Sequence, residues 1–499
     1  MERRSGVLMP IFSLPSKYGI GDFGKESYKF VDFLASSGQT IWQILPLVQT
    51  GYGNSPYSSV SGASFNPYFI SPLSLKEQGL ITKAELDFSL SDKKYIDYGE
   101  LYSVRYPLLR KAFSRFDKTD KDFVSYLRKK ESYDYALYMS IKYASGQKHF
   151  YEWDEPLKRR DKSALNKFAS SYKEEVLFWQ FVQFIAKKQW LELKKYANSK
   201  GVKIMGDMPL YVALDSVDVW VNPHLFKLDK NFAPKKVAGV PPDYFCEDGQ
   251  LWGNPVYDYT RHAEQNYEWW KTRIKQTLKI FDYVRIDHFR GLDRYYEVDR
   301  GRTDAKVGEW IDVPSHELFN AVHSVVKKDK IIAEDLGIID DGVRELLKWT
   351  GYPGMKILSF AFNGDKDNLY LPENIEENYV CYTGTHDNDT LAGLIDNANE
   401  WDYTNLKKGV FESLLKMNVQ GSVNTKDGLI DSIIELGFAS KANTFIMPLQ
   451  DLLHYGTDYR VNEPATVKEQ NWAVKFKDSD INKNISAKLK KLTKKYNRI

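Results

Sequence analysis

Cysteine is scarce in this 499-residue sequence, which contains only Cys246 and Cys381. The two residues are far apart and have no metal-ligand partners at the usual spacing, so a disulfide framework is excluded and a reducing compartment is favoured. Long apolar runs are missing as well, because none approaches the roughly 18 residues that a membrane span needs. No small-residue cleavage site follows the short apolar run that Pro10 interrupts. We therefore expect a cytoplasmic protein without a membrane partner.

The sequence also lacks an excess of charge of either sign. The formal net charge is +3 at pH 7, and no stripe of arginine and lysine alternates with aromatic residues, so we expect no nucleic-acid partner. Aromatic residues, in contrast, are abundant: 33 Tyr, 27 Phe and 12 Trp make up 14% of the chain, a high share for a globular protein. This composition suits an aromatic-lined cleft.

Short β-rich runs alternate with segments of helical spacing along most of the chain. The runs end in polar or charged clusters, and intervening segments such as GKESYKFVDFLASSG and DDGVRELLKWTG end on glycine. Eight alternations predict an α/β fold, a (β/α)₈ TIM barrel, as one catalytic domain over residues 1–499 without a separate C-terminal β-domain. The candidate strands are GVLMPIF (6–12), TIWQILP (40–46), VKIMGDMP (202–209), YVRIDHF (283–289), IIAEDLG (331–337), MKILSF (355–360), YVCYTGTHD (379–387) and TFIMPLQD (444–451).

Two regions depart from this alternation. Residues 77–200, between strands two and three, have helical periodicity and are expected to form a mainly helical insertion. Residues 210–266, after strand three, carry turn dipeptides and aromatic residues in GVPPDYF and GQLWGNP, which predicts a long functional loop region. The tail places Ile485, Leu489, Leu492 and Tyr496 at helical spacing, so we expect an amphipathic helix with a basic, solvated face; an anionic partner for that face is the alternative.

Two charged residues within one candidate strand are the first indication of a site. In DYVRIDHFRG (282–291), Arg285 and Asp287 are two positions apart, so on a strand they share a face. If that face is the barrel interior near the top, the cation favours the ionised carboxylate and makes Asp287 available as a nucleophile. A structural ion pair that closes the barrel core explains this strand equally well.

Acidic residues also follow three other candidate strands. Barrel enzymes build their active sites from the carboxyl ends of several strands, so several acids at one rim indicate function. Helix capping is the alternative for any single acid, and it could be the whole role of Asp335 and Asp389. The candidates at these strand ends are Asp207 after strand three, Glu334 and Asp335 after strand five, and His386, Asp387 and Asp389 after strand seven.

Converging carboxylates fit either a metal site or acid/base chemistry on an uncharged substrate. A barrel metallohydrolase typically has several histidine ligands, including a His-x-His pair on an early strand, whereas strand one offers no ligand. We therefore expect no metal. Paired carboxylates in aromatic surroundings suit glycoside chemistry, in which one attacks or stabilises the anomeric carbon and the other protonates the leaving oxygen.

A series of motifs, in order along the chain, carries a resemblance to a known family. The motifs are SLPSKYGIGDFG, WQILPL, NSPYSS, GDMPLYVALDSVDVW, GVPPDYF, GQLWGNPVYD, VRIDHFRG, AEDLG, PGMKIL and YTGTHDNDT. Together they resemble the 4-α-glucanotransferases of glycoside hydrolase family 77, called amylomaltases or disproportionating enzymes. One departure lies near the end: the family usually follows its Asn-Trp pair with a tryptophan and an arginine, whereas Asn471 and Trp472 lead into AVKF.

The resemblance implies specific roles for three carboxylates. Asp287 is the implied nucleophile, Glu334 the general acid/base, and Asp387 the third carboxylate, which holds sugar hydroxyls and distorts the ring. Glu334 must start protonated near neutral pH, so its pKa needs to be raised by burial and by Asp287 and Asp387. The implied substrate-binding residues are Tyr57, Asp207, Asp243, Trp252, Arg285, His386 and Asn462, of which Asp243 and Trp252 belong to the loop region that covers the cleft in the family.

The implied reaction moves a segment of a 1,4-α-D-glucan to the 4-hydroxyl of an acceptor glucose or glucan by a retaining double displacement, without a cofactor. Maltooligosaccharides, starch or glycogen chains would serve as donor and acceptor, and the enzyme would be a monomer or a small homo-oligomer. The residues by themselves support a retaining α-1,4-glucan hydrolase of the amylase or α-glucosidase type nearly as well. A noncatalytic glucan-binding protein with an aromatic cleft is the third alternative.

Overall fold

Eight parallel strands form the centre of the protein. The computed structural model describes residues 3–51, 53–88, 90, 93–242, 247–337 and 339–498. Within these residues the strands are β1 (Arg4–Leu8), β2 (Ile41–Gln43), β3 (Lys203–Met208), β4 (Lys236–Val240), β5 (Gln250–Pro255), β6 (Tyr283–Ile286), β7 (Arg294–Asp299), β8 (Glu309–Asp312), β9 (Ile331–Ala333), β10 (Gly354–Ile357), β11 (Tyr379–Tyr382) and β12 (Thr444–Pro448).

The main sheet has the order β10-β11-β12-β1-β2-β3-β6-β9. Its two outer strands approach each other, and the Ala333 N–H donates to the Pro353 carbonyl over 2.9 Å between β9 and β10. The sheet is therefore curved into a nearly closed barrel. All eight candidate strands are present in it, which confirms the predicted (β/α)₈ fold.

Helices surround the barrel. They are α1 (Lys25–Ser36), α2 (Pro72–Glu77), α3 (Lys83–Leu86), α4 (Tyr98–Arg115), α5 (Lys121–Leu127), α6 (Lys130–Ala144), α7 (Glu155–Lys158), α8 (Lys162–Ser171), α9 (Lys173–Ser199), α10 (Val217–Val221), α11 (Tyr259–Glu264), α12 (Glu268–Ile280), α13 (Ser315–His323), α14 (Asp341–Thr350), α15 (Leu391–Asn397), α16 (Glu400–Lys416), α17 (Lys426–Ala439), α18 (Leu449–Leu452) and α19 (Lys483–Lys495).

Helix α14 shows how the sequence specifies such an outer helix. The Asp340 side chain accepts a hydrogen bond from the Val343 N–H and so caps the N-terminus. At the other end Gly351 has a φ of 74°, a left-handed conformation that glycine adopts without strain. Val343, Leu346 and Leu347 form the buried face of the helix, as their helical spacing requires, and the chain then continues into β10.

The stretch between β2 and β3 contains α2 to α9, including the 27-residue helix α9 that leads into β3. Residues 210–266, predicted as loop, contain more regular structure than expected: α10, α11 and the strands β4 and β5. These two strands join β7 and β8 in a four-stranded antiparallel sheet of order β5-β4-β7-β8. The loop prediction was incomplete because this small sheet depends on pairing with residues 294–312, which local patterning cannot reveal.

The C-terminal part of the chain returns to the barrel. Helix α19 buries Leu489, and Ile485, Leu492 and Tyr496 pack against the main core, as their spacing predicted. Within the described residues no strand follows β12, and no helix has both the length and the apolar character to cross a membrane.

Candidate active site

Arg285 lies at the centre of a carboxylate cluster at the carboxyl end of the barrel. Its side chain, on β6, is only 4% exposed. One guanidinium nitrogen lies 2.7 Å from Asp207 Oδ2 and 3.1 Å from Asp287 Oδ1, and the other lies 3.9 Å from Glu334 Oε2. Asp207 lies on β3, and Asp287 and Glu334 come directly after β6 and β9; these three strands are adjacent. One buried cation therefore lies within 4 Å of three carboxylates. Arg285 and Asp287 are thus part of a larger cluster and do not form an isolated ion pair.

Close packing behind β3 places the Asp207 carboxylate. Gly206 lies against Phe281, and a Cβ at this position would be 2.1 Å from the phenylalanine ring. The Asp207 side chain is fully buried, and its Oδ2 also accepts a hydrogen bond of 2.6 Å from the Tyr57 hydroxyl. Asp207 therefore accepts hydrogen bonds from both Arg285 and Tyr57 and fixes their positions.

Backbone amides hold Glu334 in place. One carboxyl oxygen accepts from the His288 N–H at 2.6 Å and the other from the Leu336 N–H at 3.0 Å. The Glu334 carbonyl in turn accepts from the Phe289 N–H at 3.0 Å. His288 has a φ of 46°, a left-handed conformation that turns the chain after Asp287, where the His288 and Phe289 amides donate to Glu334. The positions of the two candidate catalytic carboxyls are thus coupled through one short segment.

Burial raises the pKa of both carboxyls. For Glu334, burial is the largest cause, the nearby charge of Asp287 adds to it, and Arg285 and the backbone amides oppose it. For Asp287, burial outweighs Arg285, and Asp207 and Asp387 raise the pKa further. From the sequence, Asp287 was expected to be a poorly solvated anion favoured by Arg285; that burial outweighs the arginine and raises the pKa was not predicted. Because Arg285 is closer to Asp287 than to Glu334, it favours the ionised form of Asp287 more strongly than that of Glu334.

Asp387 approaches the cluster from another side of the barrel. It follows β11, which is separated from β9 by β10, so only three of the four acid-bearing strands are neighbours. Its carboxylate accepts a hydrogen bond of 2.6 Å from Asn462 Nδ2 and lies 3.3 Å from His386 Nε2. The Asn462 N–H also donates to the His386 carbonyl over 3.0 Å. Burial lowers the pKa of His386, so a neutral imidazole stands beside Asp387.

Tyr57 connects the two halves of the cluster. Its hydroxyl donates to Asp207, and its ring stacks on His386 with a centroid distance of 5.3 Å and an interplanar angle of 13°. Burial, together with the charge of Asp207, raises the pKa of Tyr57 well above its usual value, so the phenol keeps its proton. The predicted residues Tyr57, Asp207, Arg285 and His386 form one connected network.

Known proteins with similar sequences and the same fold identify the family. The family model described as 4-alpha-glucanotransferase, glycoside hydrolase family 77, matches residues 9–481. The 4-alpha-glucanotransferase of Clostridium butyricum is 42% identical over 497 residues, covering 98% of this chain and 100% of that protein. The chain belongs to the 4-alpha-glucanotransferase family. This confirms the resemblance carried by the sequence motifs.

Solved structures agree with this assignment. The amylomaltase of Streptococcus agalactiae, determined in complex with acarbose, has a TM-score of 0.94 and 39% identity, with 100% of both chains covered. The amylomaltase of Corynebacterium glutamicum is 19% identical with a TM-score of 0.79 over 98% of this chain and 75% of that chain, and it shares the fold.

In this member of the 4-alpha-glucanotransferase family, Trp252 lies on β5 of the small sheet. The residue is 36% exposed, and its indole meets the His288 ring edge to face at a centroid distance of 4.8 Å. The small sheet thus brings an aromatic surface next to the segment that follows Asp287. Asp243, the other residue predicted in this region, lies outside the described residues.

Two other acids at the strand ends belong to the surrounding framework. Asp335 accepts a hydrogen bond of 2.6 Å from the Met355 N–H of β10 and so supports the β9–β10 edge. Asp389 accepts from the Thr390 N–H and from Asn397 and Thr457. Among the residues whose structure is described, no group of three His, Cys, Asp or Glu side chains is arranged to hold a metal ion.

Sequence reasoning missed two residues that contact the site from the C-terminal part of the chain. An Arg460 guanidinium nitrogen donates to the Asp387 carbonyl over 2.7 Å. The Trp472 ring lies beside Tyr57 and His386. No local signal in the sequence marks Arg460, and Trp472 was noted only as the point after which the family pattern changes, without a role in the site.

Proposed function

We propose that the enzyme transfers a segment of a 1,4-α-D-glucan to the 4-hydroxyl of an acceptor glucose or glucan by a retaining double displacement. The observation that carries this proposal is the position of Arg285, 3.1 Å from Asp287 and 3.9 Å from Glu334. A cation that favours the anion on one carboxyl and leaves the proton on the other prepares a nucleophile and an acid side by side.

In the first step, ionised Asp287 attacks the anomeric carbon of the donor, and protonated Glu334 gives its proton to the glycosidic oxygen. The bond between that carbon and the leaving oxygen breaks, while a bond from the carbon to the Asp287 carboxylate forms. The segment on the reducing side leaves with a new hydroxyl, and Glu334 becomes a carboxylate.

In the second step, the 4-hydroxyl of an acceptor attacks the same anomeric carbon from the face that the leaving group vacated. Glu334 takes the hydroxyl proton, the bond to Asp287 breaks, and both side chains return to their starting states. Two inversions give net retention. Because one glycosidic bond is broken and another of the same type is formed, the reaction requires no cofactor.

The remaining residues hold the sugar at the cleavage subsite. Asp387, fixed by Asn462 and next to neutral His386, is suited to accept hydrogen bonds from two sugar hydroxyls and so to favour a distorted ring. The ring of Tyr57 and the indole of Trp252 offer apolar surfaces for the faces of glucose units. Arg285 binds the nucleophile and reaches the same sugar.

Transfer is favoured over hydrolysis by the names of the relatives, since water and a sugar hydroxyl can attack the same intermediate. The acarbose complex of the Streptococcus agalactiae amylomaltase supports an α-glucan as substrate, for which maltooligosaccharides, starch and glycogen chains are candidates. The low cysteine content supports the cytoplasm as the location. We expect a monomer or a small homo-oligomer.

The decisive experiment is incubation of the purified enzyme with maltotriose in a chelator-containing buffer, followed by separation of products by chain length. We expect a ladder of glucose, maltose and longer maltooligosaccharides with no rise in total reducing ends. Reducing ends that increase in step with maltotriose loss would indicate a hydrolase. Tight glucan binding with no turnover would indicate a binding protein. Asp287→Asn is the matched inactive control.

A further inference from the structure

Trp472 lies at the edge of the cleavage subsite without being part of the proposed chemistry. Its side chain is buried, with 6% of the residue exposed. The ring centroid is 5.6 Å from that of Tyr57 and 5.7 Å from that of His386, at interplanar angles of 47° and 43°. Since Tyr57 and His386 are themselves stacked, the indole completes a group of three rings.

The two rings that Trp472 contacts carry the polar groups of the site. The Tyr57 hydroxyl donates to Asp207, which holds Arg285, and the His386 imidazole lies 3.3 Å from the carboxylate of Asp387. A small rotation of either ring would move a hydrogen-bonding atom relative to the sugar. The indole limits such rotation because it packs against both rings.

The backbone of Trp472 adopts a left-handed conformation. Its φ is 61°, in the left-handed region that bulky residues rarely adopt. The Trp472 N–H donates to the Val461 carbonyl over 2.7 Å, and its own carbonyl accepts from the Tyr98 hydroxyl at 2.7 Å. These two hydrogen bonds fix the backbone of the turn that carries the indole.

The residues after Trp472 explain how this conformation is maintained. The Ala473 carbonyl accepts from the Ile96 N–H at 2.7 Å, and the Lys475 N–H donates to the Lys94 carbonyl over 2.8 Å. The AVKF sequence, which departs from the family pattern, thus pairs with residues 94–96 that precede helix α4. The chain reverses at Trp472, so that the backbone continues to this pairing while the ring faces the active site.

We infer that Trp472 is a positioning residue of the transfer reaction: it holds Tyr57 and His386 in the stacked arrangement that the cleavage subsite requires. This inference rests on the proposed function. A merely structural tryptophan would affect stability alone, and a direct sugar platform would affect chiefly KM. A positioning residue affects kcat, because the misplaced groups act mainly on the transition state.

The test compares Trp472→Gly and Trp472→Phe in maltotriose disproportionation. Glycine removes the ring but tolerates the positive φ, so the backbone can keep its turn, whereas phenylalanine keeps an aromatic ring. We expect W472G to lower kcat by roughly 100-fold, the scale of a 1 Å misplacement, with KM changed by less than about threefold. W472F should recover most of kcat. Trp153, which is 5% exposed and lies in the helical insertion, is the matched control: W153A should lower Tm and keep kcat.

A second measurement tests whether Trp472 acts through His386. Because the two rings are in contact, W472G should lower kcat by clearly less than about 100-fold once His386→Ala is present, since only its effect through Tyr57 then remains. An unchanged kcat in W472G, a rise in KM alone, or full additivity with H386A would overturn the inference. If the unmodified enzyme makes no product ladder, the proposed function fails instead, and this outcome is separate from the behaviour of the tryptophan variants.

Discussion

Removal of the positive charge of Arg285 should move the working pH range of the enzyme. The guanidinium is 3.1 Å from Asp287 Oδ1, and the exposed fractions of the two side chains are 4% for Arg285 and 27% for Asp287. At an effective dielectric constant of about 20, this separation corresponds to roughly 5 kcal/mol of attraction. One pKa unit equals about 1.4 kcal/mol, so Arg285→Gln should raise the pKa of Asp287 by up to about 4 units.

The direction of the change in activity follows from this shift. A carboxyl whose pKa rises is protonated, and no longer nucleophilic, over a wider range of pH. At pH 7 each pKa unit removes about 90% of the remaining ionised Asp287, so kcat/KM should fall by about 10² to 10⁴-fold, the smaller value applying if water enters the space left by the arginine. The acidic limb of the pH profile should move toward alkaline pH.

The assay is maltotriose disproportionation between about pH 5 and 10, with thermal unfolding as a check on folding. Two controls separate charge from shape. Arg285→Lys keeps the charge and should retain more activity than R285Q. The negative charge of Asp207 raises the pKa of Asp287. The double variant R285Q/D207N removes that charge as well, so it should recover part of the activity lost in R285Q. An acidic limb that stays in place in R285Q, with activity within tenfold of wild type at pH 7, would refute the electrostatic argument.

Three further predictions concern Glu334, Trp252 and an ion pair between Lys142 on α6 and Asp215, which lies outside the site. In the wild type, kcat/KM should fall on the alkaline side as Glu334, whose pKa is raised, loses its proton. Glu334→Gln should lower the rate of transfer from maltotriose by about 10² to 10⁴-fold but retain the first step with a glucosyl fluoride donor, whose leaving group needs no proton. An equal loss of rate with both donors would contradict the role of Glu334 as the acid. Trp252→Ala should raise KM for maltooligosaccharides with little change in kcat, because the exposed indole offers binding surface; initial-rate kinetics would show the opposite split if the ring acted on the chemistry. Asp215→Ala should lower the free energy of unfolding, measured in urea, by about 3 to 5 kcal/mol. The reason is that Lys142, whose side chain is 8% exposed, loses the carboxylate that lies 2.5 Å from its Nζ. A loss below about 1 kcal/mol would show that the pair contributes little.

The barrel was predictable from the sequence because its strands are short, buried runs that differ from the amphipathic helices between them. Where an element depends on distant residues, prediction was incomplete. The strands β4 and β5 were assigned to a loop, since their partners β7 and β8 come from residues 294–312 on the far side of β6.

The candidate site shows the same division. Its acids could be found because each follows a recognisable strand, and motif resemblance assigned their roles. The number of carboxylates that share Arg285, the full burial of Asp207 and the rise in the pKa of Asp287 could not be found in this way. They depend on how three strands are placed side by side and on how much water the surrounding chain excludes.

The sequence by itself therefore determined the eight-stranded fold, the family and the chemical character of the site, because periodicity and motifs are local properties of the chain. Only the tertiary structure decided that Asp387 approaches from beyond β10, that Asn462 and Arg460 hold it, and that Trp472 packs on Tyr57 and His386. These contacts join residues tens to hundreds of positions apart. Their geometry and their electrostatic effects come into existence only when the barrel and the C-terminal segment pack together.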